Sequence, residues 1–117
     1  MPMNARQDNP EPCCSDAAAG LDLRPVEGER ANTELAAFAK AVAHPVRVRI
    51  LRMLAHVQGC YCGNIASEFS LSQSTVSQHL KVLKDSGLIH GEIDGVRVCY
   101  CVEPAAMRRF KALAGSL

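Results

Sequence analysis

Residues 60–88 read CYCGNIASEFSLSQSTVSQHLKVLKDSGL, and the second half of that stretch decides the fold. From Ser72 onward Val76, Leu80 and Leu83 recur at three- and four-residue spacing with Val82 at the margin, which places them on one stripe of a helix. The opposite face carries Gln73, Ser74, Thr75, Ser77, Gln78, His79, Lys81 and Lys84 and meets no acid before Asp85. A face dense in short hydrogen-bonding side chains suits base edges and phosphates better than bulk water, where Glu and Lys dominate. This is the pattern of a DNA recognition helix.

Outward from it, Ser72 is a good N-cap and Gly87 a good C-terminal stop. A short helix over about 63–69, with Ile65, Ala66 and Phe69 inward, precedes the turn Ser70-Leu71-Ser72. Two helices joined by so short a turn form a helix-turn-helix. Upstream, Asn32 or Thr33 can cap a helix over about 33–43, and Pro45 opens another over about 45–57 that exposes Arg47, Arg49 and Arg52. After Gly87 the period changes to two. Leu88, Ile89 and Ile93 lead to Asp94-Gly95 and then to VRVCYCV, which predicts a β-wing with Arg97 near its tip, either entering a minor groove or simply solubilising an exposed hairpin. Pro104 starts a last helix with Met107, Phe110, Leu113 and Ala114 along one face, more apolar surface than so small a core can cover, so a symmetric dimer interface is expected. The fold class is mainly α with a β-hairpin, a homodimeric winged helix-turn-helix.

The 117 residues suffice for one domain; 48% are apolar and 4% aromatic, so the core must be aliphatic. Residues 1–30, with Pro2, Pro10, Pro12, Pro25, Gly20 and Gly28, predict a flexible arm, leaving 31–117 as the DNA-binding and dimerisation domain. The net charge of +1 conceals an asymmetry. Residues 1–34 hold seven acids against three arginines, whereas 35–117 hold ten bases against five acids, a surplus of +5 suited to nucleic acid. No stretch approaches eighteen uninterrupted apolar residues and no signal peptide opens the chain, so a cytoplasmic protein with no membrane partner is expected. The Ser and His residues lack a general-base partner or oxyanion signature, so no enzyme is expected.

Six cysteines fall as Cys13-Cys14, Cys60-x-Cys62 and Cys99-x-Cys101. In a reducing compartment such close pairs point to soft-metal ligation or redox sensing. Cys99 and Cys101 alternate with Tyr100 and so face one side of a strand. They could chelate, or simply pack.

AVAHPVRVRILRML, LSQSTVSQHLKVLKDSGLI and GVRVCY resemble the ArsR/SmtB family of metal-responsive winged-helix repressors over about residues 35–103. The resemblance implies a homodimer that binds operator DNA when metal-free and releases it when a soft metal or metalloid binds. The zinc-type site on the last helix of such proteins needs Asp and His, and residues 104–117 supply neither. Arsenic sensors of one type carry Cys-Val-Cys-Asp; the comparable segment here is Cys60-Tyr61-Cys62-Gly63-Asn64, with one additional residue before Ile65. NPEPCC resembles the arm of another arsenic-sensing type, in which a vicinal pair joins a cysteine near the third helix of the partner. A cadmium- and lead-sensing type combines arm cysteines with both members of a Cys-x-Cys.

Two ligand plans therefore follow from the resemblance: Cys13, Cys14 and Cys60 for a three-thiolate site, or these with Cys62 for four. Trivalent arsenic or antimony keeps a lone pair and takes three thiolates, whereas Cd(II) or Zn(II) prefers four ligands, so As(III) or Sb(III) is the expected inducer and Cd(II) or Pb(II) the alternative. A thiol redox or persulfide sensor is a further alternative. Gln73, Ser74, Thr75, Ser77, Gln78 and His79 are the expected base contacts, with Lys81, Lys84 and Arg97 for phosphate or groove binding.

Overall fold

The structure, a computed structural model, describes residues 22–57 and 59–117. Its elements run α1 (Glu29–Val42), α2 (Pro45–Ala55), a 3₁₀ turn (Ile65–Glu68), α3 (Gln73–Asp85), β1 (Ile89–Asp94), β2 (Arg97–Val102) and α4 (Pro104–Gly115). This is the winged helix-turn-helix expected, mainly helical with one hairpin. Cys13 and Cys14 lie outside the described residues.

The first helix begins at Glu29 rather than at about 33, with Gly28 as its N-cap. Glu29 sits in the first turn, where a carboxylate complements the helix dipole, while the Thr33 hydroxyl donates back to the Glu29 carbonyl instead of capping. Next, His44 caps α2 by accepting the Val46 N–H at its Nδ1, with Pro45 at the first helical position.

The 63–69 stretch folds as a single 3₁₀ turn rather than a full helix. Asn64 caps it by accepting from the Ala66 N–H, and Ile65 and Ala66 are buried while Phe69 is half-buried. Ser72 caps α3 as expected, accepting the Thr75 N–H at 3.2 Å. Gly87, at φ 86°, closes the other end by donating to the Lys84 carbonyl.

The hairpin pairs Ile89 with Val102 through Asp94 with Arg97. Its turn is Gly95-Val96, one residue later than Asp94-Gly95. Gly95 alone of the two has positive φ, which suits a two-residue turn with Gly in the first central position.

The core lies where α1, α2, α3 and the hairpin base meet. Ile50, Leu54, Leu83, Leu88, Ile89, Cys101 and Leu113 are fully buried. The apolar face of α4 is only partly covered within the protomer, as its excess of apolar surface over the core led one to expect. Leu113 is in the core and Phe110 packs its ring on Phe38 at 5.6 Å, while Met107 stays half-buried and Ala114 exposed. Among the described residues no helix is long and apolar enough to cross a membrane.

Candidate functional site

On α3, burial of Val76, Leu80 and Leu83 turns Gln73, Ser74, Ser77, Gln78, Lys81 and Lys84 to the exterior, where all six are exposed. Thr75 and His79 are half-buried. The Thr75 hydroxyl accepts from Ser72 at 2.8 Å, so it belongs to the cap. His79 faces α2: its Nδ1 accepts from Arg47 Nε at 3.2 Å and its ring lies 4.4 Å from that of His44. Burial, then the neighbouring His44 and Arg47 charges, push its pKa below the ordinary histidine value.

Arg47, expected to be exposed, also donates to the Lys40 and Ala41 carbonyls and so closes the end of α1. Arg49 lies over the Phe69 ring at 4.5 Å yet stays exposed, as does Arg52, in line with expectation. At the wing, Arg97 is exposed and ion-paired to Asp94 at 2.9 Å. Lys81 is similarly paired with Asp85 across one helical turn. Such exposed pairs are weak and exchange readily for phosphate.

The cysteines are organised by an isolated β-bridge between Tyr61 and β2. Tyr61 and Tyr100 exchange both backbone hydrogen bonds, at 2.8 and 2.9 Å, which makes them the close hydrogen-bonded pair of an antiparallel ladder. The pairs on either side are then non-hydrogen-bonded ones, where opposing side chains approach most closely. These are Cys60 with Cys101 and Cys62 with Cys99, at Cα separations of 4.3 and 4.1 Å, and both are disulfide-bonded. All four sulfurs stand on one face of this ladder because a strand alternates sides and the tyrosines occupy the other. Gly63 accommodates the Tyr61 ring, since a Cβ there would fall 2.6 Å from Tyr61 Cζ.

The neighbouring strand extends the row. His90 is directly opposite Cys101, and the ligand atoms of Cys60, His90 and Cys101 all lie within 4.8 Å of one another. Cys62, Cys99 and Asp94 form a second such group. Thus Cys60 and Cys62 meet Cys99 and Cys101, whose convergence with them was not foreseen. The readable signal was the repeated tripeptide Cys-Tyr-Cys at 60–62 and 99–101, two copies of one alternating pattern that pair as β-strands.

A helix-turn-helix domain model matches residues 42–92. The HTH-type transcriptional regulator YgaV of Escherichia coli strain K12 is 38% identical over 74 residues, covering 63% of this chain and 75% of that protein. Among solved structures, one described as a possible transcriptional regulator for arsenical resistance is 33% identical, with TM-score 0.60 over 66% of this chain and 79% of its own. A homodimeric winged helix-turn-helix DNA-binding domain from Mycobacterium bovis, described as a possible ArsR-family regulator, is 25% identical with TM-score 0.59, over 77% and 87%. With the recognition helix, the wing and these likenesses in agreement, the chain belongs to the ArsR/SmtB family of DNA-binding winged helix-turn-helix transcriptional regulators.

Proposed function

We propose that this chain is a cytoplasmic, homodimeric repressor that holds operator DNA when metal-free and releases it when trivalent arsenic or antimony binds Cys13, Cys14 and Cys60. The observation that carries the reading is the position of Cys60-Tyr61-Cys62, which leads directly into the Asn64-capped turn of the helix-turn-helix. A bond formed there acts on the DNA-reading unit itself. Cys60 and Cys62 are half-buried, so that once their disulfides are reduced the thiols come within reach of a small electrophile. The vicinal pair supplies two of the three thiolates that a pyramidal metalloid takes, and the arsenical-resistance neighbour agrees in kind. If Cd(II) or Pb(II) is the inducer instead, Cys62 joins as a fourth ligand.

Dimerisation places two α3 helices in successive major grooves, roughly 34 Å apart. The half-buried Leu35, Met107 and Phe110 at the α1 and α4 surface are suited to the interface, and the Mycobacterium bovis neighbour is homodimeric. Metalloid binding and DNA binding then oppose each other reciprocally, with coupling of about 1–3 kcal/mol or more.

An operator titration with added arsenite under reducing conditions tests this. Cys13→Ser and Cys14→Ser should bind DNA as the parent does yet fail to release it; a full response from either variant would remove the arm from the site.

A second reading is favoured by the opposed thiols themselves. Oxidation of Cys60 with Cys101 and Cys62 with Cys99 by a peroxide or persulfide withdraws two electrons and two protons per pair and staples the helix-turn-helix to the wing. Operator release on peroxide addition, with none on arsenite addition, would favour that reading.

A further inference from the structure

We infer that the reduced wing carries a second soft-metal site, independent of the arm, in which Cys60, Cys101 and His90 hold a thiophilic divalent cation, Zn(II) or Cd(II), and Cys62 closes the tetrahedron. The hairpin and the β-bridge beside it contribute in register: Cys60 stands against Cys101, and Cys101 against His90. Their ligand atoms already share a space 4.8 Å across. Two thiolates and an imidazole are a zinc-type donor set, and a fourth sulfur completes four-coordination. Cys62, two residues from Cys60, lies outside that group in the structure, bonded to Cys99, and turns toward the centre only once that disulfide is opened.

The surroundings of His90 fit the role. The Glu103 carboxylate lies against Nδ1 of His90, while the exposed Glu92 carboxylate, 3.4 Å from Nε2, gives way when the cation takes that nitrogen. A carboxylate behind a histidine fixes its tautomer and ring orientation, the usual outer partner of a metal-bound imidazole. The other cluster is poorer. Asp94 there is a hard oxygen donor already paired with Arg97.

Loading requires thiols. A dithiol reductant opens each disulfide, leaving two cysteines reduced and itself oxidised to its cyclic disulfide. The cation then displaces one proton from each of Cys60, Cys62 and Cys101, while neutral His90 supplies its ring nitrogen. This site shares Cys60 with the proposed metalloid site, so the two ligands compete for it in the wild-type chain.

The test uses full-length protein carrying Cys13→Ser and Cys14→Ser, reduced and titrated anaerobically with Cd(II) and Zn(II) against a chromophoric chelator. One ion per protomer is expected, with a thiolate-to-cadmium charge-transfer band. On that background Cys60→Ser and His90→Ala should each weaken binding at least tenfold, and Glu103→Gln, acting only through His90, by about tenfold. Absence of binding by the background protein would overturn the site, as would undiminished affinity in both His90→Ala and Glu103→Gln. Because the arm cysteines are absent throughout, the result stands apart from the arsenite response: that reading can fail while this site persists, and the reverse.

Discussion

Arg109 on α4 grips Glu34 on α1 at two points, Nε to Oε2 at 3.0 Å and Nη2 to Oε1 at 2.8 Å. The same guanidinium donates to the carbonyls of Arg24 and Pro25, so one side chain fixes both helices and the chain leading into α1. Arg109 is only 5% exposed, and its hydrogen bonds hold the Glu34 carboxyl below its ordinary pKa. Arg109→Ala should therefore lower the thermal midpoint by several degrees, and Arg109→Lys should recover only part, since an ammonium cannot make the planar two-point contact. Because the folded pKa of Glu34 is depressed, its stabilisation is present above the ordinary carboxylate value and is lost as pH falls into the acid range. Urea midpoints followed from pH 7 downward should show a shallower acid decline in Arg109→Ala than in the parent.

His79 predicts a second pH effect at higher pH. Its folded pKa lies below the ordinary value, chiefly through burial, so the native state disfavours the proton. The contribution is intact above about pH 6.5, the unfolded value, and fades as pH falls through the lowered folded one. Denaturation midpoints between pH 8 and 5 should decline in the parent and flatten in His79→Gln. An unchanged slope in the variant would mean that His79 does not carry the effect.

On the exposed face of α3, Gln78 and Lys84 should separate sequence reading from charge. Gln78 is unencumbered by any cap and suits a two-point contact to adenine, so Gln78→Ala should compress the ratio of specific to non-specific affinity by roughly 1–3 kcal/mol. Lys84→Ala should weaken binding to every sequence alike and reduce the slope of log affinity against log salt by about 1. Anisotropy titrations over a range of salt, with operator and scrambled duplexes, decide between these roles. The opposite assignment would require α3 to dock in another orientation.

The fold was legible because strong local signals agreed with one another. Ser72, Gly87, Pro45 and Pro104 mark helix ends by rules that hold within one turn of chain, and the structure places them as caps, stop and first residues. The shorter elements were less so. The start of α1 depends on Gly28 and the dipole of a whole helix, and the 63–69 segment is too short for its period to distinguish α from 3₁₀. Arg47 and His79 look like solvent and DNA contacts on their own helices, and their mutual hydrogen bond depends on how α2 crosses α3. The meeting of the two Cys-Tyr-Cys runs is a contact at sequence separations of 37 and 41, signalled only by the repetition of the tripeptide and not by any pattern within one element.

Those separations give the last prediction. A disulfide closing a loop of about 40 residues stabilises by roughly 4 kcal/mol through the unfolded chain. Once Cys60–Cys101 is formed, however, Cys62–Cys99 closes only the small ring of residues 60–62 and 99–101, worth roughly 2 kcal/mol on the same relation. Together the pairs should add about 6 kcal/mol rather than 8. Urea denaturation of oxidised and reduced parent, of Cys62→Ser/Cys99→Ser, and of Cys60→Ser/Cys101→Ser measures each increment within a single sequence, so the serine substitutions cancel. Either double variant alone should gain nearly 4 kcal/mol on oxidation, about two-thirds of the parental gain. Fully additive increments would place the effect in the folded state, as relief or creation of contacts on the wing, rather than in the entropy of the unfolded chain.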